Sequence, residues 1–175
     1  MATYKIDAAH SEITFKIKHL VISTVTGSIT KFDASMECSK DDFTDASISF
    51  EADVDSITTN NEQRDAHLKS EDFFHAEQFP KITFTSTSIE KKSDDEYLLH
   101  GDLSIRGVTK NIPLNVEHGG SVVDPWGQNK EGFELTGKIS RKEFGLKWSA
   151  LTEAGGAVVS DDVRLILNVQ MVKQA

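Results

Sequence analysis

Residues 60–80 read NNEQRDAHLKSEDFFHAEQFP, the one helical segment in a chain otherwise written as alternating strands. Helix formers fill Glu62–Glu71, Asn60 or Asn61 supplies an N-cap, and Glu62 places an acid in the first turn. No β-branched residue stands between Thr59 and Ile82. The apolar content is lopsided: Ala66 and Leu68 are alone on the helix, while Phe73 and Phe74 crowd its C-terminal end before Phe79-Pro80. So narrow an apolar stripe cannot be the core of a helical domain. The segment reads as a lid laid across something the strands build.

Upstream of the lid, Ile13, Phe15 and Ile17 alternate with Thr14, Lys16 and Lys18, with His19 at the end of the apolar stripe and Leu20 continuing the run. Thr24–Ser39 is a second strand that changes phase. Val25, Gly27 and Ile29 share one parity and Phe32, Ala34, Met36 and Cys38 the other, which requires a bend near Thr30–Lys31. Ile48, Phe50, Ala52 and Val54 form the third. Downstream come Ile82 and Phe84 running to Ser86 and Ser88, then Tyr97, Leu99, Gly101, Leu103 and Ile105, with KKSDDE between them as a solvated hairpin tip. Val108, Ile112, Leu114 and Val116 make a sixth strand with Pro113 facing the other way, which argues for a bulge, an edge or a solvent-facing position there. Glu117–Gly132, rich in glycine around Trp126, reads as a long loop, and Phe144 to Gly156 with Trp148 as a second connection. Phe133, Leu135, Gly137, Ile139 and Arg141 form the seventh strand, and Val163, Leu165, Leu167, Val169 and Met171 the eighth.

Eight runs suit an antiparallel sheet that closes on itself, leaving an interior for packed side chains or one ligand. A β-sandwich has the same signature, but a sandwich has little use for a cover, whereas a barrel has an end to close. Small residues on the inward stripes, Gly27, Ala34, Ala52, Gly101 and Gly137, leave room where a solid core would put bulk. The inward Phe, Ile, Leu and Val are enough to fill the lumen, and that solid reading stands beside a hollow one; a hollow barrel would hold a long apolar tenant, because almost nothing polar lines the stripes to orient a compact ligand. Arg141 is carried inward at the end of its strand, where it must pair with an acid, sit at the mouth or meet an anionic head group.

A chain of 175 residues without linker or low-complexity run reads as a single domain spanning residues 1–175. Its net charge of −9, with basic residues that never cluster, sets a field that disfavours nucleic acid. The one cysteine, Cys38, precludes an internal disulfide and reads as a small apolar strand residue. No window is apolar enough for a membrane span and the first residues lack an apolar leader core, so the expected compartment is the cytoplasm. A leader cleaved from a longer precursor would leave the same text and direct the protein to the periplasm.

Chemistry is sparse. There is no nucleophile elbow, no zinc-protease helix motif and no phosphate loop. His67 and His75, eight residues apart, match no helical face for two metal ligands. Asp7, His10 and Ser11 carry the letters of a hydrolytic triad but crowd into five residues, which suits a hydrogen-bonded turn. An enzyme would have to use His19 or His118 with an inward carboxylate. No catalytic residue, metal or cofactor is expected.

Tyr4-Lys5-Ile6-Asp7 with His10-Ser11, Phe15-Lys16-Ile17-Lys18-His19-Leu20, Gly27 before Phe32, Asp55-Ser56-Ile57, Arg64-Asp65 with His67-Leu68, Asp72-Phe73-Phe74, Phe79-Pro80-Lys81-Ile82-Thr83-Phe84, Gly101 through Lys110 and Arg141 through Leu146 stand in an order that covers almost the whole chain. In these residues the chain resembles the YceI family of lipid-binding proteins. The resemblance implies an all-β, eight-stranded antiparallel lipocalin-like barrel, here with the helical lid between the third and fourth strands. It also implies a lumen holding a polyisoprenoid, an isoprenoid quinone or another long-chain amphiphile, a homodimer, and binding or transport in place of catalysis. Many relatives carry an export signal that this text lacks. The expected ligand-binding residues are Ile13, Phe15, Ile17, His19, Phe32, Met36, Ile48, Phe50, Phe73, Phe84, Leu103, Leu114, Val116, Phe133, Leu135, Ile139, Arg141, Leu165 and Leu167, with His19 and Arg141 at the mouth. Two other readings stand beside this one: an enzyme modifying an isoprenoid lipid, and an empty barrel whose outer face or Trp126 loop binds a protein.

Overall fold

A run of alternating, β-branched side chains can satisfy its backbone and bury one face only by pairing with a neighbour, and the computed structural model shows how these runs pair. It describes residues 1–19, 22–146 and 159–174, and only the backbone of His19 and Val159. In chain order the elements are β1 (Ala2–Ile6), β2 (Glu12–His19), β3 (Ser23–Ile29), β4 (Phe32–Cys38), β5 (Ser47–Asp53), β6 (Ile57–Thr58), α1 (Glu62–Lys69), β7 (Lys81–Lys91), β8 (Glu96–Ile105), β9 (Val108–Val123), β10 (Asn129–Ser140) and β11 (Val159–Lys173).

Three strands of the wall are each broken once. A 3-10 turn at Ala8–His10 separates β1 from β2, residues 30 and 31 separate β3 from β4, and a 3-10 turn at Val54–Ser56 separates β5 from β6. With these pairs rejoined, the sheet is an up-and-down meander of eight antiparallel strands. It closes because β11 pairs with β10 on one edge and with both β2 and β1 on the other, from Val163–Ile17 to Lys173–Tyr4. Closure pairs both edges of the sheet along the barrel wall, and β9 is left unpaired on one side only where it overhangs β8. The barrel and the bend at Thr30–Lys31 are therefore as the alternation implies, and the breaks let β4 continue onto β1 and β5 while β3 stays on β2 and β6.

Several boundaries differ from the sequence reading. The first strand begins at Ala2, not Ile13: β1 is short and the turn at Asp7–Ser11 disguises its continuity with β2. Glu117–Gly132 is mostly paired strand, since β9 and β10 run on as a hairpin past the end of β8 and only residues 124–128 turn. Asp124 stabilises that turn by accepting from the N–H groups of Trp126 and Gln128, both at 2.9 Å. The helix ends at Lys69, two residues early. Pro113 faces outward beyond the last β9–β10 pair, Asn115–Thr136, where its missing N–H leaves no ladder bond unmade. Leu20, Trp148 and most of the second connection lie outside the described residues.

The turn at Asp7–Ser11 is the hydrogen-bonded one its letters suggest. His10 Nδ1 lies 2.8 Å from Asp7 Oδ2, Lys130 Nζ reaches the same oxygen at 3.2 Å, and the Ser11 hydroxyl accepts from the Gln170 N–H at 3.0 Å. The bond from His10 holds the Asp7 carboxyl below the usual range, with burial opposing it and Lys130 adding to it. A carboxyl whose folded pKa is depressed stabilises the fold above its unfolded value, about 3.9, and loses that contribution as pH falls through the folded value. Asp7→Asn is expected to lower the urea midpoint at neutral pH, with the gap from the parent protein closing as the pH falls below about 4. A gap that does not change with pH would show that the Asp7 charge is idle.

Candidate functional site

In a meander, successive connections fall at opposite ends. The β4–β5 turn and the tips of the β7–β8 and β9–β10 hairpins lie at one end; the segment carrying α1, the β8–β9 turn and the residues after β10 lie at the other. Between them is a cavity of about 600 Å³, lined by the inward stripes of all eight strands. Phe15, Ile17, Phe50, Phe133, Leu135, Leu165 and Leu167 point inward yet are only half-buried, because what they face is empty volume. Among the described residues, the inward side chains leave this volume open along the axis.

Of the residues singled out from the sequence, Ile13, Phe15, Ile17, Met36, Ile48, Phe50, Phe73, Phe84, Leu103, Leu114, Val116, Phe133, Leu135, Ile139, Arg141, Leu165 and Leu167 all line this cavity. Phe32 does not. At the first position of β4, just past the bend, its ring stacks on that of Phe50, with centroids 6.4 Å apart, and Phe50 takes the lumen-facing place. The side chain of His19 lies outside the described residues.

The small residues on the stripes do not mark vacant volume directly. A Cβ on Gly27 would stand 2.2 Å from the Phe15 ring, and one on Gly101 would stand 2.2 Å from the Phe84 ring. Both glycines are seats over which the tip of an aromatic ring lies. The room they create is taken by the ring, and the room the ring gives up is the lumen.

The lid end gathers most of the polar groups of the lining: Thr59, Asn61, Gln63, Arg64, His67 and Arg141. Asn61 caps α1, its side-chain oxygen accepting from the Arg64 N–H at 3.0 Å. Arg64 folds back on buried Thr59, donating from Nε to the hydroxyl at 2.7 Å and from Nη2 to the carbonyl at 2.9 Å. Thr59 in turn donates its N–H and hydroxyl to Asp65 at 2.8 and 2.6 Å. Burial raises the Asp65 pKa, but the Thr59 bonds outweigh it and hold the carboxyl low. His67 Nε2 lies 2.8 Å from Asp72 Oδ2, and its ring stands edge-on to Phe73. The helix itself buries nothing; Phe73 and Phe74, just beyond it, make the seal, and Arg106 pins that segment by donating to the Phe73 carbonyl at 2.8 Å.

Arg141, 2% exposed, donates from Nε to the Ser160 carbonyl at 2.8 Å and from Nη1 to the Leu146 carbonyl. Burial lowers its pKa and the charge of Asp161 opposes that shift. It thus ties the start of β11 to the turn after β10 while presenting part of its surface to the lumen. No aspartate or glutamate is among the described lining residues, although the chain carries nine more acids than bases.

The sequence reading missed the far end. Phe43, in the β4–β5 turn, is 5% exposed and plugs the barrel against Tyr4, Phe133 and His118, with ring centroids 6.2, 5.4 and 5.4 Å away. Tyr97 fastens this turn by donating its hydroxyl to the Asp42 carbonyl at 2.7 Å. A single phenylalanine in the acidic stretch DDFTD has no periodicity to announce it. His118 bonds Glu131 at 2.7 Å and lies outside the cavity lining.

A closed eight-stranded barrel with an oily lumen, a helical cover and a cationic rim is the architecture of a lipocalin-like binding protein. Comparison with known proteins narrows the class: residues 4–171 match the YceI-like domain, and the chain belongs to the YceI-like family. Protein YceI of Escherichia coli O157:H7 is 38% identical over 175 residues, covering 99% of this chain and 88% of that one. The crystal structure of the Campylobacter jejuni YCEI protein superposes with a TM-score of 0.76 at 33% identity, covering 91% of each chain. A polyisoprenoid binding domain from Saccharophagus degradans shares the fold, with a TM-score of 0.69 at 14% identity over 98% of both chains.

Enlarging a side chain in a filled core costs about 1–3 kcal/mol. Leu165→Trp, projecting into the cavity, is expected to change the unfolding free energy by less than about 1 kcal/mol in urea titrations. A loss within the full overpacking range would mean that the centre is solid.

Proposed function

We propose that this protein binds a single long-chain amphiphile, a polyisoprenoid or isoprenoid quinone, in its lumen and carries or sequesters it without chemical change. The observation that supports this best is the lining itself: apolar along the strands and, at the lid end, polar, cationic and free of described carboxylates. Each buried methylene contributes about 0.8 kcal/mol, so the chain supplies affinity while the rim orients the head. Taking ~30 Å³ per heavy atom, the share of a water molecule in the liquid, a cavity of about 600 Å³ seats about 20 chain atoms, or about four isoprene units. The polyisoprenoid named for the S. degradans domain agrees with this class of ligand. Family resemblance leads us to infer a homodimer as well, which light scattering would read directly.

The head group sits beneath α1, where Arg64 and Arg141 offer positive charge and N–H donors. Arg141 is buried and locked to backbone carbonyls, whereas Arg64, which also donates to Thr59, is exposed on the rim and is the residue to vary. One arrangement favours an enzyme instead: the His67–Asp72 pair borders the lumen. Release of inorganic phosphate from a prenyl phosphate, abolished by His67→Ala, would move the reading there.

Arg64→Gln is expected to weaken farnesyl phosphate roughly tenfold, the loss of about 1.4 kcal/mol from one exposed charge-assisted contact, while leaving neutral farnesol nearly unchanged. Intrinsic fluorescence titrations of both probes check this. Equal losses for both would remove the head from the α1 rim, and no binding of either would defeat the carrier reading.

A further inference from the structure

The two ends of the lumen are closed in different ways. At the lid end a whole segment is tied down by Arg106, Arg64 and Thr59. At the other end, Phe43 closes the barrel with contacts that are largely ring against ring. Outside it lies a second hollow, an open groove of about 780 Å³ between the N-terminal strand, the β4–β5 turn and the overhanging β9–β10 hairpin, lined more by polar and charged groups, Lys40, Asp41, Glu131 and Lys173 among them, than by apolar ones. Among the described residues, Phe43 is the one side chain that lines both the lumen and this groove. Its backbone is in the left-handed region, at φ 62°, which a side chain branching into an aromatic ring adopts only under constraint.

Ring contacts of this kind can be broken and remade without stranding a hydrogen bond. The turn that carries the plug is held by its own short backbone bonds and by Tyr97, so the ring can leave while the turn stays. One wall of the groove is made by Val122 and Val123, which are 62% and 67% exposed on the part of the hairpin that β8 does not cover. The two valines form an apolar strip in this otherwise polar groove, left uncovered by the described residues, at the end of a lumen that seats about 20 chain atoms.

We propose that this end is a second portal, gated by Phe43, through which the hydrocarbon tail of a ligand too long for the lumen passes into the outer groove along Val122 and Val123. This rests on the carrier reading and extends it. A short prenyl chain lies wholly inside with the plug shut, and a long one displaces the ring and emerges. Selection for chain length is then made by the cost of opening Phe43, not by the depth of the barrel.

The sole cysteine of the chain, Cys38, lines the same groove and is buried there, with burial pushing its thiol pKa up. It reports on the portal without any engineering. The rate at which Ellman's reagent modifies Cys38 should be the same for the free protein and for the farnesyl phosphate complex. It should fall several-fold with undecaprenyl phosphate, whose tail would cover the groove. Phe43→Ala, or Phe43→Leu should the first variant fold poorly by circular dichroism, should raise the unliganded rate several-fold and narrow the affinity gap between the two probes. If both prenyl phosphates bind and Cys38 reacts equally fast in the two complexes, the portal is overturned and the carrier reading survives. If neither binds, both fall together.

Discussion

The interior of a closed eight-stranded barrel can be given to side chains or to a ligand, but not to both. That constraint governs this protein. The strands supply more than enough phenylalanine, leucine, isoleucine and valine to fill the space, and the fold keeps them on the wall. It does so in part by seating the tips of the Phe15 and Phe84 rings over Gly27 and Gly101, where any side chain would collide with the ring. Closure of β11 onto β1 and β2 fixes the circumference, and the breaks in three strands let the wall turn without opening it. What remains is an apolar volume that water has little reason to occupy and a hydrocarbon chain has every reason to enter.

The two ends then divide the labour. The lid end is built from groups that hold each other: Asn61 caps the helix, Asp65 and Arg64 clasp Thr59, and Arg106 and Arg141 tie neighbouring turns together through their carbonyls. Its lining is cationic in a strongly acidic protein, which suits an oxygen-rich or anionic head and repels competing bases. The lumen face of the opposite end is apolar and closed by one ring, that of Phe43. A long amphiphile has the same polarity from head to tail, so the lumen has a direction as well as a volume.

Much of this was legible before any coordinates. Strict alternation marks residues that face a common interior, so most of the strand residues of the lining could be named from parity, and the phase change at Thr30–Lys31 announced the bend. The failures share a physical cause: pattern is visible only where one face is buried and the other wet. β1 is too short to show a period. Beyond β8 the β9–β10 hairpin has no inside, so Gly119–Val123 looks like loop although it is paired. Phe43 is a solitary plug, and Phe32 has the right parity but sits at a strand end where the bend gives its place to Phe50. The glycines were informative for a reason other than the one they suggested. A missing side chain signals vacancy from sequence alone, whereas here it signals a partner ring one strand away.

Native mass spectrometry of the purified protein, before and after organic extraction and again after incubation with a prenyl lipid, tests the hollow lumen most directly. A lumen built to hold one chain predicts a folded species carrying one long-chain lipid per polypeptide, which extraction removes and incubation restores. A protein that stays at its bare polypeptide mass throughout, with the same prenyl lipid present in excess, would contradict the account.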